Sequence, residues 1–147
     1  MYKQKGFTII ELIVVIAIIA VLAAIVLVNV TQYISKGKAA AIEGNMATLL
    51  TNSATYLDQN PTSHGLDFIN ANSGCDSDAD GNSPIKTAIT NAGGTLTCVG
   101  DPNSQNWCGA VATMPTGGTY ASYCVDSTGY KGLLGGSKCT DTTYTCQ

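Results

Sequence analysis

Arginine is absent from this 147-residue chain, and its seven basic side chains are all lysine. Charged residues make up only 12% of it, and ten acids leave a formal charge of −3. An acidic chain without arginine has no electrostatic footprint for nucleic acid, which is therefore not indicated as a partner. Histidine occurs once, as His64, in a polar stretch beside Gly65 with no nucleophile motif nearby. A Ser–His–Asp arrangement thus finds no support. No phosphate-cradling glycine motif leads into a helix, and no acid pair has a structural reason to be buried. Close cysteine pairs of the kind that hold zinc are missing too, since the tightest gap, Cys139 to Cys146, holds six residues. The chain reads as non-enzymatic.

What it has in quantity is one apolar run. Leu12 to Val28 is unbroken for seventeen residues, and Phe7, Ile9 and Ile10 extend it on the other side of Glu11. At about 1.5 Å per residue, a helix of that length nearly crosses the roughly 30 Å hydrocarbon core of a bilayer. A carboxylate in such a segment costs at least about 2.5–3.5 kcal/mol on insertion scales, so Glu11 marks a functional site that needs a partner. Lys3 and Lys5 precede the span and leave the short amino-terminal end in the cytoplasm, while Lys36 and Lys38 beyond it weaken that bias. A secretory signal peptide, cut near Ala23 and Ala24, is one competing reading. An ordinary membrane anchor is the other. Neither accounts for the acid, nor for the order of residues around it.

Those residues, Gly6-Phe7-Thr8-Ile9-Ile10-Glu11-Leu12-Ile13-Val14-Val15, resemble the processing site of type IV prepilins and related pseudopilins. The resemblance covers about twenty-five residues. It implies cleavage after Gly6 and methylation of the new amino terminus at Phe7 by a prepilin peptidase/methylase. Residues 1–6 become a leader and 7–30 a transmembrane and assembly helix. Residues 31–60 become an amphipathic helix, and 61–147 a disulfide-bonded globular head. Loss of Lys3 and Lys5 leaves five lysines against ten acids, a side-chain charge of −5. Glu11 is implied to face the amino-terminal ammonium of a neighbouring subunit, setting its position. The resemblance further implies a membrane-held precursor, then an extracellular homo-oligomeric filament built with an inner-membrane assembly platform and motor. A major pilin is the first expectation. A pseudopilin of a secretion or competence system, or a minor tip pilin acting as adhesin or DNA receptor, is the alternative. Many relatives carry a helix-breaking proline where this chain has Val28, so local melting of the helix lacks its usual trigger.

The expected fold class is α+β: a long amino-terminal helix, half apolar and half amphipathic, packed on a small antiparallel sheet with disulfides, the type IV pilin fold. Ile34, Ile42, Met46, Leu49, Tyr56 and Leu57 recur on one helical face. Asn60-Pro61 ends the helix. From Pro61 to Leu96 the chain reads as mostly loop, with a short helix from about Ser83 to Ala92 capped by Ser83 and opened by Pro84. Trp107–Met114 and Thr119–Val125 read as strands around the turn Pro115–Gly118, and Asp126–Gly129 turns into another strand near Tyr130–Leu134. Three or four strands are expected in all.

All six cysteines (Cys75, Cys98, Cys108, Cys124, Cys139, Cys146) follow the helix, and their even number in an exported domain predicts up to three bridges. Fifteen pairings are open. Pairing across the first turn singles out Cys108 with Cys124. Ahead of the short helix, Asp76, Asp78 and Asp80 alternate before Gly81 and Asn82, like the first half of a calcium loop. Position twelve would be Thr87, so an EF-hand is excluded. Calcium held by the three aspartates and the Asn82 carbonyl is one reading; a solvated acidic turn is the other.

Overall fold

The computed structural model describes residues 6–71, 75, 83–115, 122–134, 139–140 and 142–146. Two compact units divide the chain, Met1–Ile34 and Ser35–Gln147, and helix α1, Ile9–Gln59, contributes to both. No glycine or proline interrupts the sequence between Thr8 and Gly37, so nothing breaks the hydrogen-bond ladder there. In the first unit every described side chain from Gly6 to Ile34 is exposed. Ile16 is 55% exposed and Leu22 58%, and a helix apolar on every side is one that another surface covers.

In the second unit α1 changes character. Ala39, Ile42, Met46, Leu49 and Ser53 are buried at steps of three and four, one stripe of a helix. Ile34, expected on that stripe, is exposed. The helix stops at Gln59, because Asn60 precedes Pro61 and leaves the helical region. Two short helices follow, α2 at Gly65–Asn70 and α3 at Pro84–Asn91. In α3 the Ser83 hydroxyl accepts from the Lys86 amide at 3.5 Å, and Pro84 takes a position where no amide proton is needed.

Four strands, β1 at Leu96–Gly100, β2 at Trp107–Val111, β3 at Ser122–Asp126 and β4 at Lys131–Leu134, form one antiparallel sheet in sequence order. Its inner face carries Leu96, Trp107, Val111, Tyr123 and Val125, which share a core with Ile42, Met46 and Leu49 of α1 and with Phe68, Ile85 and Ile89. Gly109 lets the helix approach: a Cβ there would stand 3.1 Å from Leu49 Cδ2. Trp107 and Phe68 stack obliquely at 5.0 Å between centroids. The outer face carries Cys108, Ala110 and Cys124, and the carboxyl-terminal segment covers it through Cys139 and Cys146. Every residue of β2 and β3 is buried, because both faces are covered.

Two elements depart from the expected loop of Pro61–Leu96. Helix α2 forms inside it, and β1 begins at its last residue. Between them Gly65 and Gly100 meet backbone to backbone. A Cβ on Gly100 would stand 2.5 Å from the Gly65 carbonyl carbon, and one on Gly65 would collide with the Asn106 carbonyl. Only glycine at both positions permits that approach.

The expected Cys108–Cys124 bridge is corrected. The bonds are Cys75–Cys98, Cys108–Cys139 and Cys124–Cys146, with Cα separations of 6.1, 5.7 and 5.8 Å. Sheet register supplies the reason. Cys108 lies opposite Asp126, and Cys124 opposite Ala110. The two cysteines are diagonal neighbours, a relation that spaces residues about 7–8 Å apart, whereas a bridge wants Cα atoms within about 4.4–6.8 Å. Each instead takes a partner from the returning tail.

Candidate functional site

Gly6, Phe7 and Thr8 precede the first turn of α1 in non-helical conformation, and Phe7 is 79% exposed. The peptide bond after Gly6 is therefore uncovered and lies outside the helix, where a protease can reach it. Thr8 then caps the helix. Its hydroxyl and its amide both donate to Glu11 Oε2, at 2.6 and 2.9 Å, and the Glu11 amide donates back to Thr8 Oγ1 at 3.3 Å. This reciprocal arrangement is a capping box, which satisfies amides that the first turn leaves without partners. It also puts a carboxylate at the positive end of the helix dipole. Oε1 of Glu11 accepts no hydrogen bond among the described residues. The Thr-x-x-Glu spacing announces this box in the sequence, but assigning Glu11 wholly to a neighbouring chain passes it over.

His64 has a structural place. Its amide donates to Asp67 Oδ2 at 2.8 Å and its ring Nδ1 lies 3.3 Å from the same oxygen, closing the start of α2. The His64 amide holds the Asp67 carboxyl below the ordinary aspartate range. Asp101, on the loop after β1, is held low by the Ser104 hydroxyl at 2.6 Å and then by the Asn103 amide at 2.8 Å. The same loop receives α2 through Gly65 N to Ser104 O at 2.7 Å and Leu66 N to Asp101 O at 3.2 Å. Cys75, bonded to Cys98, is buried. Asp76, Asp78, Asp80 and Asn82, the candidate calcium ligands, lie outside the described residues.

One polar site passed over in the sequence is Asp126, which is 1% exposed. Its Oδ1 accepts from the Thr128 amide at 3.0 Å, the Thr128 hydroxyl at 2.6 Å and the Tyr130 amide at 3.3 Å. Oδ2 accepts from the Cys146 amide at 2.9 Å. A buried carboxylate is tolerated when this well supplied with donors. The Asp-Ser-Thr-Gly turn was legible; the return of the tail to it was not.

Nothing in these clusters assembles a nucleophile with a base. An uncovered apolar helix with a capped, accessible start, attached to a disulfide-bonded α+β unit, describes a pilin-like protein. The comparisons agree. The family described as the prokaryotic N-terminal methylation motif matches residues 1–27. Over 47 residues the chain is 49% identical to the type IV major alpha-pilin of Moraxella bovis and 53% identical to fimbrial protein Q of the same organism. Each match covers 32% of this chain and 30% of the relative, so the chain aligns with about three tenths of the length of the curated relatives it matches. No solved structure matches. The chain therefore carries the prepilin methylation motif and has type IV pilins as relatives, a class that is structural and not enzymatic.

Proposed function

We propose that this chain is a structural subunit, a major pilin, which polymerises into a type IV pilus-like filament after cleavage between Gly6 and Phe7. The observation that carries the reading is the first unit: a helix with every described side chain exposed, apolar nearly throughout, starting beside an accessible motif. Such a surface requires a partner. A bilayer serves the precursor, since Phe7–Val28 at about 1.5 Å per residue matches a hydrocarbon core of roughly 30 Å. Copies of the same helix serve the filament.

Lipid tails are already apolar, so exchange of lipid for neighbouring helices is driven by packing and charge pairing rather than by release of water. Glu11 supplies the charge. Cleavage creates an ammonium at Phe7, and a carboxylate among apolar helices is tolerable where that ammonium from the next subunit meets it. The Thr8 donors then hold one oxygen of Glu11 ready while the other takes the new partner. In this scheme the leader, the assembly helix, the amphipathic segment and the bridged remainder occupy residues 1–6, 7–30, 31–60 and 61–147. The partners are a prepilin peptidase/methylase, an inner-membrane platform and motor, and further copies of the chain.

Shearing surface fibres from cells and identifying their main component tests the reading. The chain is expected as the bulk protein. Its presence only in traces, or only in membranes, contradicts a major pilin and favours a tip subunit or a pseudopilin.

A further inference from the structure

We propose that Asp126 is a pairing template for the outer face of the sheet: it captures the main chain at Cys146 and so selects Cys124–Cys146 and Cys108–Cys139 from the available bonds. Four thiols converge on that face before oxidation, and they can be joined in three ways. Sheet register disfavours Cys108 with Cys124, as diagonal neighbours. Two ways of joining strands to tail remain, and something must choose between them.

Asp126 stands at the point of choice. On the same face it is opposite Cys108 across the ladder and two residues along β3 from Cys124. Its three bonds at Oδ1 come from Thr128 and Tyr130, within four residues, so they form with the β3–β4 turn and need no tail. Oδ2 has one bond, from the Cys146 amide twenty positions away. Before the tail arrives, a fixed carboxylate thus presents an oxygen that burial will leave unpaired unless an amide reaches it. The tail is shaped for this: Thr143 and Tyr144 turn back onto the Thr140 carbonyl at 3.4 and 3.1 Å, with Tyr144 at a φ of 50°. With Cys146 held there and its sulfur on Cys124, Cys108 is left for Cys139.

The bonds close by exchange with a small-molecule disulfide such as oxidised glutathione. The Cys146 thiolate attacks one sulfur of the oxidant, forming a mixed disulfide and expelling one glutathione thiolate. The Cys124 thiolate then attacks the Cys146 sulfur, breaks the mixed bond and expels the second. The two protons lost by the cysteines end on the two glutathiones. Asp126 takes no part in these transfers; it acts as a positioning residue.

The test is oxidative refolding of the full-length chain in detergent from the reduced, denatured state, with bonds mapped by mass spectrometry after alkylation. Wild type is expected to recover the three observed bonds. In Asp126→Asn, the ratio of Cys124–Cys146 plus Cys108–Cys139 to the crossed pairs is expected to fall about threefold to tenfold, the equivalent of one hydrogen bond. Cys75–Cys98, whose partners lie elsewhere, should form at the wild-type yield. Wild-type pairing in Asp126→Asn overturns the proposal, as does an equal loss of Cys75–Cys98, which marks general unfolding. If Asp126→Asn yields no soluble protein, Thr128→Val, which removes one donor to Oδ1, carries the test: a smaller shift to crossed pairs supports the template, and unchanged pairing overturns it.

Discussion

Thr8 and Glu11 close on each other at the start of α1, with hydroxyl to carboxylate at 2.6 Å and Glu11 amide to Thr8 hydroxyl at 3.3 Å. The residue assigned to subunit docking thus also holds its own helix together. The two roles separate by substitution, because glutamine serves a capping box as glutamate does but carries no charge. Glu11→Gln is expected to leave cleavage at Gly6 and helix content unchanged while fibre yield falls at least about tenfold, as befits loss of one partner from a desolvated ion pair. Quantifying sheared fibres against processed subunit in membranes checks this. Fibres at the wild-type level place Glu11 in capping alone.

The contact between Gly65 and Gly100 makes a stability prediction. Alanine at either position drives a methyl into backbone, and overpacking of this kind costs about 1–3 kcal/mol or more. Both variants should unfold at lower urea concentration in detergent. Gly44, on the exposed side of α1 with nothing within 4 Å of an added Cβ, provides the contrast. There alanine is expected to gain up to about 1 kcal/mol from helix propensity.

Two leucine-sized truncations should separate the two units. Leu49 is fully buried against the sheet, so Leu49→Ala is expected to cost about 2–5 kcal/mol in urea unfolding. Ile16 is exposed in the isolated subunit, and Ile16→Ala should change that stability by less than about 0.5 kcal/mol. Under the assembly reading Ile16→Ala lowers fibre yield all the same. A fibre yield unchanged by Ile16→Ala weakens the claim that this helix forms the filament interior.

Acid should loosen α2 first. Asp67 and Asp101 have carboxyls held below the ordinary range by hydrogen bonds present only in the folded chain. Their contribution is complete above the unfolded value, about 3.9, and is lost as pH falls through the depressed folded values. Hydrogen exchange at the Gly65 and Leu66 amides, corrected for intrinsic rate, should be constant from pH 7 down to about 5 and accelerate below about 4. Asp67 is exposed and Asp101 half-buried, both at the surface, so the effect is local. Asp101→Asn should remove most of it; an unchanged acid response in that variant contradicts the assignment.

Local signals carried most of what the sequence predicted. The buried stripe at Ile42, Met46 and Leu49, the stop before Pro61, the Ser83-Pro84 helix start and the Asp126–Gly129 turn each depend on residues within a few positions of one another. What escaped was set at a distance. Helix α2 is only six residues long and opens on a glycine that reads as loop until Gly100 is seen against it. Strand β1 needs β2 beside it to be recognised. The bridges depend on a tail that returns over the outer face, and on a register that sets Cys108 and Cys124 diagonally apart. The capping role of Glu11 is a different case: its spacing from Thr8 is local and readable, and a proposed role toward a neighbouring chain does not exclude it.

The amino terminus of the fibre subunit tests the central claim most directly. Mass spectrometry of sheared fibres should find a terminal peptide beginning at Phe7 with a methyl group on its nitrogen and the apolar helix retained. A terminus downstream of Ala24 makes that helix a discarded export signal and contradicts the account.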